Sequence, residues 1–164
     1  MNKIIIDTNI LFSALLNTDS RIGQILINSK RYYDFYAPAY IREEIIEHKD
    51  KIKTIAKLSD NDFIELYELI LRNITILNHT LIPTNNYKKA EKLCETIDLD
   101  DTIFIAIAEF TRNELWTGDK KLINGLSEKG YKRLIRTEEI YQDLYRNVRE
   151  KNKILKFRIK KVVR

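Results

Sequence analysis

The sequence contains very few of the residues that mark disulfide-bonded, zinc-binding or turn-rich proteins. Among its 164 residues are one cysteine, two histidines, two prolines and four glycines. The lone cysteine, Cys94, cannot form an internal disulfide, which indicates a reducing compartment. The histidines and the cysteine do not have the spacing of a zinc site. The scarcity of glycine and proline argues against both a disordered chain and an all-β fold with many turns.

Long apolar segments are also absent. The longest, residues 103–108, is far too short to cross a bilayer. The residues after Met1 enter a predicted strand directly, without the apolar segment of a signal peptide. We therefore expect a cytoplasmic protein with no membrane contact, and its length suits one domain with a sizeable core.

Positive charge is concentrated at the carboxyl end of the chain. The net charge is +5, and residues 151–164 hold seven of the 29 Lys and Arg residues but none of the 24 Asp and Glu residues. The remaining sequence is therefore close to neutral. A basic tail is compatible with nucleic-acid binding, but it is also a common aid to solubility.

Strands and helices alternate along the chain. Short apolar or aromatic segments predict five strands, at residues 4–6, 34–37, 74–77, 114–117 and 133–136. Helical periodicity predicts helices between them. The apolar run 102–108 fits either a buried strand or a buried helix, and we predict a helix because the acidic cluster before it is a good amino-terminal cap. This order predicts a three-layer α/β/α sandwich with a mostly parallel central sheet.

Two segments depart from simple alternation. Residues 49–73 predict a helical arm within the main domain, residues 1–150, with a capping box at its centre. The basic tail, residues 151–164, alternates apolar and basic residues from Leu155 to Lys160. This period of two predicts a possible edge strand.

Acidic side chains follow the predicted strands at the edge where parallel strands end. Asp7 follows the first strand, Glu44 lies in the helix after the second, Asp101 precedes the buried helix, and Asp119 follows the fourth strand. Asp7 alone is more simply explained as a helix cap. Four carboxylates at one sheet edge repel one another, and hard oxygen ligands without His or Cys favour Mg²⁺ or Mn²⁺. We infer a cation site suited to phosphoryl chemistry.

Four short motifs together resemble the PIN domain family. These are Asp7-Thr8-Asn9 after an apolar strand, Pro38 followed by Glu44, Asp101 before Ala106, and Thr117-Gly118-Asp119. Each motif is weak by itself, but their order and spacing match over about residues 3–140. The resemblance implies a metal-dependent nuclease related to the VapC-like toxins of toxin–antitoxin pairs.

The resemblance also implies roles for individual residues. It makes Asp7, Glu44, Asp101 and Asp119 the catalytic and metal-binding acids, with Mg²⁺ or Mn²⁺ as cofactor. It places Thr8, Asn9 and Thr117 as side chains that hydrogen-bond these acids or the waters of the metal. The assignments can slip to neighbouring acids, namely Glu43, Asp98 and Asp100. Basic residues of the arm and tail are candidates to contact RNA, namely Lys49, Lys51, Lys53, Lys156, Arg158 and Lys160.

The leading hypothesis is a Mg²⁺- or Mn²⁺-dependent endoribonuclease that hydrolyses RNA with a water molecule activated by metal. Its partner would be RNA, and the candidate protein partners are an antitoxin and a second copy of the chain. The alternative is a PIN-fold module that binds RNA or protein with little catalysis. A third hypothesis, an aspartyl-phosphate phosphatase, is disfavoured because Asn9 stands where that chemistry places a second aspartate.

Overall fold

The computed structural model of the protein describes residues 2–162, with side chains described for residues 2–149. Its five strands are β1 (Asn2–Ile6), β2 (Tyr33–Pro38), β3 (Ile74–Leu77), β4 (Glu114–Trp116) and β5 (Leu134–Ile135). The helices are α1 (Thr8–Leu16), α2 (Arg21–Asn28), α3 (Ile41–Glu47), α4 (Lys49–Ala56), α5 (Asp60–Leu71), α6 (Thr84–Cys94), α7 (Thr102–Thr111), α8 (Lys120–Glu128) and α9 (Thr137–Val162).

The five strands form one sheet in the order β3-β2-β1-β4-β5, and every pairing is parallel. β1 is central because it pairs with β2 on one side and with β4 on the other. Parallel pairing brings the carboxyl ends of all strands to the same edge of the sheet, hereafter the carboxyl edge. The predicted α/β sandwich is therefore confirmed, with a fully parallel sheet in the described part of the chain.

Helices cover both faces of the sheet because β1 is apolar on both sides. Ile4 and Ile6 belong to a core shared with α1, α2, α5 and α9, whereas Ile5 belongs to a second core shared with α6, α7 and α8. All three isoleucines are at most 1% exposed. Burial of each side chain contributes about 1.5–3 kcal/mol. A strand buried on both faces is typical of parallel sheets.

The two helices of residues 49–73 form as expected and pack against the first core. α4 and α5 both contact α1, and α5 also contacts α2. The predicted capping box begins α5: the Ser59 hydroxyl accepts from the Asp62 N–H, and the Asp62 carboxylate accepts from the Ser59 N–H. This arm is thus part of the helical layer on that face of the sheet.

Local signals also identify α7 and the end of α8. The ambiguous run after Asp101 is the helix α7, as predicted. Gly130 lies just beyond α8 with φ of 73°, a left-handed conformation that favours glycine at the end of a helix. None of the described helices has the length and apolar character needed to span a membrane.

The prediction of an edge strand in the basic tail was wrong. α9 begins at Thr137 and continues without a break to Val162, so residues 155–160 are helical; residues 163–164 lie outside the described part of the chain. No Gly or Pro interrupts the segment, and it is rich in Lys and Arg, which favour helix. Extending an existing helix avoids the cost of nucleating a new element.

Candidate active site

Asp7 caps a helix and is also a buried acid. Its backbone follows β1, its carboxylate accepts from the Asn9 N–H at 3.2 Å, and its side chain is almost fully buried. The Thr117 hydroxyl donates to Asp7 Oδ2 at 2.6 Å, and the Asn9 side-chain amide donates to the same oxygen at 3.3 Å. Burial raises the pKa of Asp7, which these hydrogen bonds oppose and the charge of Asp119 reinforces. Asp7 is therefore a carboxylate fixed in orientation by three donors.

Glu44 is brought to Asp7 by the start of α3. β2 ends at Pro38, the chain turns through Tyr40, and Glu44 lies in the first turn of the helix. The Thr8 hydroxyl donates to Glu44 Oε2 at 2.8 Å, so adjacent residues of α1 hold the two acids. Glu43, the alternative candidate, is exposed and does not line the cleft.

Asp101 is the acid most affected by its neighbours. It precedes α7, where its side chain makes no capping hydrogen bond. Burial, and then the charges of Asp7, Asp98, Asp119 and Asp100, raise the pKa of Asp101 to about 7. Of the two alternatives, exposed Asp100 also lines the cleft, whereas Asp98 accepts from the Asp100 N–H and does not line it.

Asp119 approaches the same acids from β4. It caps α8, and one carboxylate oxygen, Oδ1, accepts from the N–H groups of Lys121 and Leu122. Its own N–H donates to the Thr117 hydroxyl at 3.0 Å, and that hydroxyl donates to Asp7. Thr117 therefore links the β4 acid to the β1 acid, and the negative charge of Asp119 raises the pKa of both Asp7 and Asp101.

These residues surround one open cavity at the carboxyl edge, hereafter the acidic cleft. Its walls are Asp7, Thr8, Asn9, Tyr40, Glu44, Asp100, Asp101, Ile103 and Phe104. Asp119 does not line this cavity but is linked to Asp7 through Thr117. None of the four predicted acids forms an ion pair with a described Lys, Arg or His side chain, although six such pairs occur elsewhere. The cleft is thus a concentration of negative charge without a counter-charge among the described side chains.

Tyr40 is a member of the cleft that sequence patterns did not indicate. Its ring lies 6.0 Å, between centroids, from that of Phe104. Burial and the charge of Glu44 raise its pKa, so the phenol keeps its proton and remains a hydrogen-bond donor. The only local signal was its position two residues after Pro38, at the entry to α3.

The donor set fits a hard divalent cation. It consists of carboxylates, without His or Cys, and repulsion among them is relieved when a cation binds. Among the described residues, no group of three or more Asp, Glu, His or Cys side chains forms a ready coordination cage. Mg²⁺ does not require one, because it keeps several waters and is commonly held through one or two carboxylates.

The predicted RNA-contacting lysines of α4 separate into two groups. Lys49 and Lys53 pair with Asp60 at 2.6 and 3.0 Å, which ties α4 to α5. Lys51 lies on the other side of α4, in a cavity next to the acidic cleft. This α1–α4 cleft is lined by Asn9, Phe12, Leu16, Glu44, His48, Lys51, Ile52 and Ile55. The side chains of Lys156, Arg158 and Lys160 lie outside the described set.

Comparison with models of known protein families identifies the family of the chain. A family model of the PIN domain matches residues 5–145. This chain belongs to the PIN domain family. The resemblance drawn from the four motifs is therefore confirmed at the level of family, and PIN domains are generally nucleases.

Two individual proteins are similar to this PIN domain. The chain is 29% identical over 134 residues to the uncharacterized protein MJ1680 of Methanocaldococcus jannaschii, covering 79% of this chain and 78% of that protein. The crystal structure of VapBC2 from Rickettsia felis bound to a DNA fragment from their promoter contains a chain that aligns with a TM-score of 0.57 and 15% identity. That alignment covers 82% of this chain and 96% of that chain. The second likeness shows a common fold.

Proposed function

We propose that this PIN domain is a Mg²⁺- or Mn²⁺-dependent endoribonuclease whose metal-binding acids are Asp7, Glu44, Asp101 and Asp119. The observation that carries the proposal is the acidic cleft, where Asp7, Glu44 and Asp101 meet beside Asp119 without a described cationic partner. When bound, the ion would lower the pKa of a water molecule and stabilise charge on the phosphate.

The protein supplies fixed orientation for these groups. Thr117 and Asn9 hold both oxygens of Asp7, and Thr8 holds one oxygen of Glu44. Such partners restrict carboxylate rotation, which fixes the orientation of Asp7 and Glu44. The Tyr40 phenol, which retains its proton, is suited to donate to a phosphate oxygen in the same cleft.

Two pairs of neighbouring acids test the proposal with matched controls. We expect the wild type to cleave fluorescent single-stranded RNA of mixed sequence with Mg²⁺ or Mn²⁺ and not with EDTA. Asp7→Asn and Glu44→Gln should each lower the rate by about 100-fold or more, the scale for removing one charge-stabilising group. Glu43→Gln should remain near wild type because Glu43 is exposed outside the cleft. Asp101→Asn and Asp98→Asn form the second pair.

Cleavage that persists in EDTA would contradict the metal requirement. Equal rates for Glu44→Gln and Glu43→Gln would contradict the assignment of the site. RNA binding without cleavage under any metal condition would favour the alternative, a binding module.

A role as the toxin of a toxin–antitoxin pair is a further part of this proposal. It is supported by the fold shared with a chain of the VapBC2 structure. We expect expression to arrest growth, expression of Glu44→Gln not to do so, and a protein encoded by the adjacent gene to relieve the arrest. Growth that is unaffected by the active protein would remove this role while leaving the nuclease proposal intact.

A further inference from the structure

A third cavity at the carboxyl edge lies on the opposite side of the acids from the α1–α4 cleft. This β4–β5 pocket is lined by Thr117, Gly118, Lys120, Ile123, Asn124, Arg136, Thr137 and Glu138. Its position follows from the fold, because Lys120 follows β4 and Arg136 follows β5 at the ends of two adjacent parallel strands.

The charge of the β4–β5 pocket is positive. Its acid, Glu138, pairs with Arg21 and accepts from the Gln142 side chain. Lys120 and Arg136 form no ion pair with any described side chain, in contrast to Lys49, Lys53 and Arg133 elsewhere on the surface. Two exposed cations thus remain available to an anionic ligand.

The α1–α4 cleft combines one cation with an apolar wall. Lys51 is exposed there, and it too pairs with no described acid. Phe12 packs edge-on against His48 with ring centroids 5.3 Å apart, and Leu16 and Ile55 expose 36% and 56% of their surfaces. His48 Nδ1 lies 3.0 Å from the Glu44 carbonyl oxygen. Because a carbonyl oxygen only accepts, Nδ1 is the donor in this contact.

The three cavities are neighbours along the carboxyl edge. Asn9 and Glu44 are walls of both the α1–α4 cleft and the acidic cleft. Thr117 is a wall of the β4–β5 pocket and donates to Asp7 in the acidic cleft. A chain of negative charges with apolar units between them would meet a cation, the acids and two further cations in that order.

We propose that single-stranded RNA crosses the carboxyl edge through these three cavities, with Lys51 on one side of the acids and Lys120 and Arg136 on the other contacting its phosphates. The apolar wall of the α1–α4 cleft packs an unstacked base. The order of charges favours this ligand because only the phosphate at the centre needs a cation from solution. A duplex keeps its bases stacked inside and offers none to the apolar wall. This inference rests on the proposed function for the position of the cleaved phosphate.

The test measures binding apart from cleavage. A fluorescein-labelled single-stranded RNA is titrated, by fluorescence anisotropy, with the Asp101→Asn variant in EDTA, where one repulsive charge is removed and metal-dependent cleavage is prevented. In this background we add Lys51→Gln, Lys120→Gln or Arg136→Gln. The controls are Lys132→Gln and Arg72→Gln, exposed residues that precede β5 and β3 at the opposite edge of the sheet.

Each of the three variants should lower the slope of log affinity against log salt by about 0.7, the effect of one phosphate contact on single-stranded nucleic acid. If such a contact contributes little at about 1 M salt, the affinity at about 50 mM falls roughly 8-fold per variant. Ile55→Ser should weaken binding without changing the slope, because it removes an apolar contact only. The two controls should match the background.

Several outcomes would contradict the proposed path of single-stranded RNA through the three cavities. These are no binding by the background variant, losses equal to those of the controls, and equally tight binding of a duplex of the same sequence. The result is separable from the nuclease proposal. If the Lys51 and Arg136 variants bind RNA more weakly but the wild type shows no metal-dependent cleavage, the RNA path stands and the nuclease proposal is contradicted. If the wild type cleaves RNA but these variants bind it as well as the background does, the nuclease proposal stands and the path is contradicted.

Discussion

Replacing Asp101 by Asn should stabilise the metal-free protein at pH 8. The pKa of this carboxyl is raised from 3.8 to about 7, so the folded state favours its protonated form. Stability is therefore lost as the pH rises from 3.8 to about 7, and the full loss is present at pH 8. Asparagine is neutral at every pH and similar in shape. It also breaks no capping bond, because the Asp101 side chain makes none.

The size of the effect follows from the shift and from solvent exposure. A shift of about three pKa units corresponds to an upper limit of about 4 kcal/mol. Asp101 is only partly buried, so solvent screening reduces this to about 2 kcal/mol. Loss of a negative charge at the start of α7 costs about 0.3–1 kcal/mol. We therefore expect a net gain of about 1 kcal/mol at pH 8.

Urea unfolding in EDTA at pH 8 and pH 5 provides the assay. At pH 5 the folded protein already carries the proton, so the advantage of Asp101→Asn over wild type should shrink to a fraction of its value at pH 8. The control is Asp19→Asn, which removes an equal charge from an exposed position between α1 and α2. A variant less stable than wild type at pH 8, or a gain of equal size at both pH values, would refute the reasoning.

Two further predictions concern a ligand and a helix cap. Mg²⁺ at about 100 times its dissociation constant should stabilise the wild type by about 2.7 kcal/mol in thermal unfolding; Glu44→Gln should lose most of this gain and Glu43→Gln should keep it, and equal responses would place the ion elsewhere. Ser59→Ala should lower the free energy of unfolding by about 1 kcal/mol because the capping box is lost. Ser59→Asn, which can still cap, should cost much less in the same urea titration, and equal losses would contradict the role of the cap.

Much of the fold could be predicted because its signals are local. The three isoleucines of β1, the Ser59 capping box and the glycine after α8 each act within a few residues of their own position. The tail shows the limit of such signals. Alternation in residues 155–160 is compatible with a strand in isolation, but whether a helix that began at Thr137 has stopped is decided by the preceding chain.

For the candidate site, the acids could be predicted from the sequence, but the surrounding basic residues could not. The four acids were predicted together because each lies at the start of a helix near the carboxyl edge, which the alternation of strands and helices implies. The sequence could not predict which lysines of α4 form ion pairs, because this depends on Asp60 of the next helix lying close to Lys49 and Lys53. Arg136 and Lys120 were not among the predicted residues, because they become neighbours only when β4 and β5 pair.

The hydrogen bond from Thr117 to Asp7 has a consequence for the protein during its synthesis. The two residues are 110 positions apart, and they meet because Trp116 pairs with Ile6 between the parallel strands. A nascent chain that has not yet reached residue 117 lacks Thr117 and Asp119, together with the strand that positions them. The hydrogen bonds that hold Asp7 are therefore completed only after residues 117–119 have been translated. If the cleft cuts RNA as proposed, the message has been read as far as those codons before the enzyme that could cut it exists.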